Sequence, residues 1–376
     1  MPLFASAQNA FQNFGSIKIH SNANVGFHTD LINDGDFDDN LGLVGFYSDN
    51  EVRVISGNNR PIFNNVEIDA VNDLELEVAL GITNELEYVN GKVITPRDMI
   101  NVSLDFITHN FYVGEDDLRH TDGYASVLSN KEFIFPIGDD NRLRPMITPK
   151  QQQNVNFKGA YYFENPNTPS ISLSSFTSTF DTSEKQIFIN NISNLEFWDL
   201  DGASETVVTL TWDIQSDIES ISNDLQSLRV VGWNKQENKW FDLGGNNITG
   251  DFNEGKLTSS SFIPDNYDII TIGSQLPNGN IDGTNLLMSP NDDGINDALV
   301  FEGLEQYKKN TLSIFNRWGN AVLEVEKYDN NWEGLSEGRA TIDGKKQLPV
   351  GTYFYILKFG DDSLDKTLTG WIYINR

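Results

Sequence analysis

The chain has 376 residues, enough for two or three domains with cores of their own. Its 55 acidic residues against 26 basic ones give a formal net charge of −29, which repels phosphate backbones and anionic bilayers and argues against nucleic acid as a partner. It has no cysteine, which excludes a disulfide framework, a thiolate nucleophile and a Cys-ligated metal.

In chain order, the first eight residues read MPLFASAQ. Ala5-Ser6-Ala7 is an A-x-A cleavage pattern, although the charged and apolar parts of a signal peptide are missing. Residues 1–7 therefore read as a signal-peptide remnant, with Gln8 as the expected mature terminus. The plain alternative is a flexible end. No apolar run approaches the roughly 18 residues of a membrane helix, so the chain is not expected to span a membrane.

Residues 8–150 show short apolar stretches such as Ile17-Lys-Ile19, Val52-Arg-Val54, Val66-Glu-Ile68, Leu74-Glu-Leu76 and Val102-Ser-Leu104. Turn clusters separate them, among them Asn33-Asp-Gly-Asp36 and Asn90-Gly91. Strands this short suit the coils of a β-solenoid, each burying its neighbour's apolar face, better than they suit a sandwich. His120–Tyr124 and Phe133–Asp139 flank a hairpin-like stretch, and Arg142-Leu-Arg-Pro145 follows it.

Residues 151–276 read as a β-sandwich. Val207 to Trp212 alternates, and Leu228–Trp233 with Lys239–Leu243 form an expected hairpin. Trp212, Trp233 and Trp240 are the expected filling between its sheets. Helical spacing occurs only at Ile218, Ile221, Leu225 and Leu228. Residues 277–283, PNGNIDG, read as a linker.

The last segment, 284–376, carries ordered motif blocks. NLLMSPNDDGIND covers 285–297, with Ser289, Pro290, Asn291, Asp293, Gly294, Asn296 and Asp297. LSIFNRWGN follows over 312–320, with Asn316, Arg317, Trp318 and Gly319. YDNNWEG covers 328–334, with Trp332 and Gly334. LPVGTYFY covers 348–355, with Pro349, Gly351, Thr352, Tyr353 and Tyr355. The chain ends on GWIYINR, from Gly370 to Arg376. Trp318, Trp332 and Trp371 are the expected anchors of a small sandwich. In the final run Trp371 and Tyr373 share one face and Ile372 and Ile374 the other. A fully apolar run favours burial on both faces and a central place in the sheet.

These blocks resemble the gliding-motility-associated C-terminal domain, the type B sorting domain of type IX secretion in the Bacteroidetes. Asp292 stands where that family usually has Gly, and Leu286 to Met288 replace its aromatic start. The resemblance implies an Ig-like sandwich, export by the Sec route to the periplasm, and passage through the type IX translocon to the cell surface or beyond. It also implies a dedicated outer-membrane barrel partner.

Candidate chemistry is sparse. Asp34, Asp36 and Asp38 alternate, but Asp39 and Gly45 stand where an EF-hand needs Gly and Glu. Asn291, Asp293 and Asp297 are hard oxygen ligands suited to calcium; an Asx-rich turn is the alternative. The four histidines, His20, His28, His109 and His120, fit no metal motif, and no G-x-S-x-G elbow occurs. The sequence thus predicts an all-β, non-enzymatic, surface-delivered adhesive or structural protein that requires no cofactor. A secreted polysaccharide hydrolase and an accessory subunit of the secretion or motility machinery are the rivals.

Overall fold

The computed structural model describes residues 10–169, 179–186, 189–275, 285–291, 296–301, 304, 307, 309–336, 347–360 and 365–375. The signal remnant, the linker at 277–283, and Asp293, Gly294 and Arg376 lie outside the described residues. The chain is almost entirely β and divides into two compact units, Met1–Ser274 and Gln275–Arg376.

The first unit opens with a β-solenoid of about six turns. Each coil lends one strand to each of two parallel sheets. One sheet stacks Ala10–Asn13, Asp30–Asn33, Arg53–Ser56, Leu74–Leu76, Val93–Ile94, Thr121–Asp122 and Ile137–Asp139. The other stacks Asn24–Phe27, Leu43–Ser48, Ile62–Ala70, Leu80–Asn90, Leu104–Ile107 and Ala125–Ser129. Each coil places a large apolar side chain above its predecessor's. Phe27 stacks on Phe46 at 5.4 Å between ring centroids, and Phe37 meets Phe63 edge-on at 4.9 Å. The corners are held by amide ladders. Asn110 donates to Asn84 at 2.6 Å, and Asn84 donates to Asn65 at 2.7 Å. At the expected turn after Asn90, Gly91 adopts φ +77°, and a Cβ there would strike the carbonyl oxygen of Ala70.

The second solenoid sheet does not stop at its last coil. Val155–Tyr162 pairs antiparallel with Ala125–Ser129, and the sheet continues through Phe197–Asp201, Tyr267–Gln275, Leu228–Asn234 and Lys239–Asp242. A five-stranded sheet faces this extension: Phe133–Phe135, Met146–Thr148, Thr209–Trp212, Gly255–Thr258 and Asn246–Gly250. The core between them is continuous with that of the solenoid, from Ile19 to Ile272. The expected hairpin is present, with Trp233 opposite Trp240. The helical spacing yields a single turn, Ile218–Ile221, flanked by short 3-10 turns.

The tryptophans divide differently from expectation. Trp212 lies in the core between the sheets. Trp233 and Trp240 lie on the other face of the long sheet, in a second cluster with Tyr124, Tyr162, Phe180 and Phe197. The physical reason is the two-residue period. In Leu228–Asn234, Leu228 and Val230 face the inter-sheet core, which sends Val231 and Trp233 to the opposite side.

The second unit is a five-stranded sheet in the order Asn285–Met288, Asp365–Ile374, Gly351–Gly360, Lys309–Phe315, Ala321–Glu326. Its inner face buries Leu312, Ile314, Tyr353, Tyr355, Leu357, Ile372 and Ile374 beneath a layer containing Leu299, Phe301, Leu304, Tyr328, Trp332 and Leu348.

Candidate functional site

The final strand of the second unit is interior. It pairs in parallel with Asn285–Met288 and antiparallel with Gly351–Gly360. Among the described residues only one of its faces is covered, which corrects the expectation of burial on both. Ile372 and Ile374 are buried, whereas Trp371 and Tyr373 are 39% and 37% exposed. Strand registers extend that outer face. Tyr373 lies opposite Leu287 on one side and Thr352 on the other; Trp371 lies opposite Phe354, which lies opposite Phe315. Leu287 is 59% exposed and Phe354 48%. Leu287, Phe354, Trp371 and Tyr373 thus form an apolar patch on three adjacent strands of a sheet whose other face is the core. Contiguous exposed apolar surface of this kind marks an interaction site.

The motif residues sort into builders and displayed groups. Asn316 builds the turn after Phe315, its Oδ1 accepting from the backbone N–H groups of Trp318 and Asn320, each at 3.0 Å. Gly319 supplies the positive φ of 81° that this turn needs. Trp318 is consequently thrust outward, 71% exposed, with the Arg317 guanidinium 4.3 Å from its ring centroid. Of the three expected anchors, only Trp332 is buried. Its Nε1–H donates to the carbonyl of Leu335 at 2.7 Å, next to Gly334 at φ +76°. Tyr353 donates to the carbonyl of Pro349 at 2.9 Å, which closes the LPVGTYFY block, and Tyr355 packs edge-on against Phe301. Thr352 and Gly370 lie within the ladder. The Ser289 N–H donates to the carbonyl of Asn296 at 2.9 Å, and the Asn291 N–H to Asp297 Oδ1 at 2.9 Å, so the ends of that loop bond to each other. Pro290 lies between them.

Sequence reasoning picked out the motif blocks but did not single out Leu287 or Phe354 within them. The signal was available in the run TYFYILKF, where a period of two with apolar residues at both phases implies an uncovered apolar face once one phase is assigned to the core.

In the first unit the acidic clusters bond to the chain's own side chains. Asp122, Asp139 and Asp140 bring carboxylate oxygens together, but Arg97 reaches Asp122 at 2.7 Å and Asp139 at 3.2 Å. Its guanidinium also stacks on Tyr162. The alternating run at Asp34 serves a solenoid corner, where Asp34 Oδ1 accepts from the side chain of Asn58 at 2.6 Å. A buried network ties solenoid to sandwich. Arg142 Nη2 donates to Glu196 at 3.1 Å, Asp213 at 2.9 Å and Ser216 at 3.1 Å, Arg144 pairs with Asp213, and Tyr161 donates to Glu196 at 2.6 Å. Its charges answer one another, which makes it a clamp. Burial pushes His109 down to about 4 and lowers His120, so both imidazoles are neutral near pH 7. No helix among the described residues is long and apolar enough to cross a membrane.

A family model described as the CHU_C type IX secretion signal domain matches residues 281–374. The C-terminal unit therefore carries a type IX secretion sorting domain, as the motif blocks imply, and the chain is sorted to the cell surface or extracellular space by that system. No curated protein and no solved structure matches the chain.

Proposed function

We propose that the chain is a non-enzymatic surface protein of adhesive or structural role, delivered in a gliding-motility setting. Its first unit is the passenger. The second docks on the secretion machinery, including a dedicated outer-membrane barrel partner, after Sec export to the periplasm. The observation that carries this reading is the uncovered face bearing Leu287, Phe354, Trp371 and Tyr373. A soluble unit loses solvation free energy by leaving that much apolar surface in water, of order 25 cal/mol per Å2. A receptor that buries it recovers the loss and gains aromatic anchors, the residues that dominate interface energetics.

Surface labelling of cells expressing the full chain tests the reading. Removing Asn285 to Arg376 should leave a folded passenger in the periplasm. The double variant Phe354→Ser, Trp371→Ser should do the same while the second unit remains folded. Normal display of the truncated chain would refute sorting by this unit. Normal display of the double variant alone would move docking off this face.

A further inference from the structure

An open groove of about 700 Å3 lies on the outer face of the solenoid's second sheet, in the size range of ligand sites. Its wall is built from three successive coil corners, each just before a strand of that sheet: Arg60, then Glu77 to Ala79, then Asn101 and Val102. Its floor is the strands Leu104–Ile107, Ala125–Ser129 and Val155–Tyr162, where Asp105 lies opposite Ser126 and Ser126 opposite Lys158. The groove thus runs along the solenoid axis, offering a fresh set of side chains every ~4.8 Å.

The floor is held before any ligand arrives. Asp105 Oδ1 accepts from Ser103 and Ser126, each at 2.6 Å, and Oδ2 accepts from Arg60 Nη1 at 2.7 Å. Lys158 Nζ donates to the carbonyl of Ile100 at 2.7 Å. Such preorganisation lowers the ordering cost of binding.

We propose that this groove binds a neutral, hydroxyl-rich oligosaccharide lying along the solenoid axis. The lining charges balance, Arg60 and Lys158 against Glu77 and Asp105, within a chain of net charge −29. Net charge on the ligand is therefore not what the groove selects. The amides of Asn101 and Asn156 are exposed and both donate and accept, as sugar hydroxyls do. Val102, Ile107 and Leu128 offer aliphatic walls to the C–H faces of the rings. An extended peptide fits less well. It binds sheets by pairing with unpaired edge groups, and this floor is the face of strands already paired on both sides. Asp105 has both oxygens engaged, so it serves to hold the floor.

The proposal draws on the surface reading only for its setting; the binding is measured on purified full chain, so failure of export and failure of binding are distinct results. Native gels cast with hydroxyethylcellulose, galactomannan or a β-1,3-glucan should retard the chain in at least one case, whereas polygalacturonate should not. The double variant Asn101→Ala, Asn156→Ala should bind that polymer about tenfold more weakly, the loss expected for one or two hydrogen bonds. Its melting temperature should match the parent's, because both side chains are exposed. Lys158→Met provides an independent lesion with the same expected loss. Retardation by no neutral polymer, retardation by polygalacturonate alone, or undiminished binding by both folded variants would overturn the proposal.

Discussion

Two aromatic sheet faces in this molecule meet opposite fates. The outer face of the long sheet in the first unit carries Tyr162, Phe197, Trp233 and Trp240, and all four are buried. The outer face of the second unit carries Phe354, Trp371 and Tyr373, and all three are exposed. The local sequences are alike: strands with apolar residues at both phases of the two-residue period. What differs is a distant segment. Phe180, from the chain between Val155–Tyr162 and Phe197–Asp201, packs edge-on against Trp233 and joins the cluster on the first face. Whether an aromatic face is core or surface is thus decided by long-range topology, not by the strand that bears it.

The largest expected effect follows from the final strand's interior position. Removing Gly370 to Arg376 takes away Ile372 and Ile374, both fully buried, and unpairs the strands on either side. Two such side chains carry roughly 4–10 kcal/mol at about 2–5 kcal/mol each, comparable to a whole domain's stability of about 5–15 kcal/mol. Calorimetry of the full chain should lose the transition of the second unit and keep that of the first. Survival of both transitions would show that the strand is dispensable to the fold.

The comparison sharpens with one tryptophan from each face. Trp233→Ala should cost about 3–5 kcal/mol, as expected for emptying a covered site. Trp371→Ala should cost about 1 kcal/mol or less, because its site is already wet and only cross-strand contact with Phe354 is lost. Denaturant titrations followed by fluorescence measure both. Equal costs would mean that the second face is covered in solution.

Much of the fold was legible in sequence because it is written locally. Three-residue apolar strands between Asn, Asp and Gly turns allow little besides stacked coils, and the 228–243 hairpin is visible in its own alternation. The continuity of solenoid and sandwich through one sheet was not legible. It rests on pairs such as Val127 with Phe157 and on the Arg142–Glu196 clamp, whose members lie 54 residues apart. The sorting unit was legible as motif blocks, yet Trp318, Trp332 and Trp371 look equivalent in sequence. Their exposures diverge because the Asn316 turn expels one, the strand phase displays another, and only Trp332 packs into the core, its indole N–H donating to the Leu335 carbonyl.

The smallest effect probes what covering the first face costs. That face encloses Asp199, which is buried and accepts a hydrogen bond from Tyr124 at 2.6 Å, with Tyr162 donating to Tyr124 at 3.0 Å. Burial, and then repulsion from Asp201, hold its carboxyl well above the ordinary value of 3.8; the Tyr124 bond and Lys235 oppose this, and Asp268 adds to it. A carboxyl whose folded value is raised binds its proton more tightly in the folded state. Its stabilising contribution is complete below 3.8 and is lost as pH rises through the raised value. Asp199→Asn keeps an acceptor for Tyr124 and removes the charge. The variant should therefore melt higher than the parent at pH 7, and the gap should close as pH falls toward 3.8. Melting curves across that range check the sign, and a variant that is less stable at pH 7 would show that the charged carboxylate is compensated within the covered face.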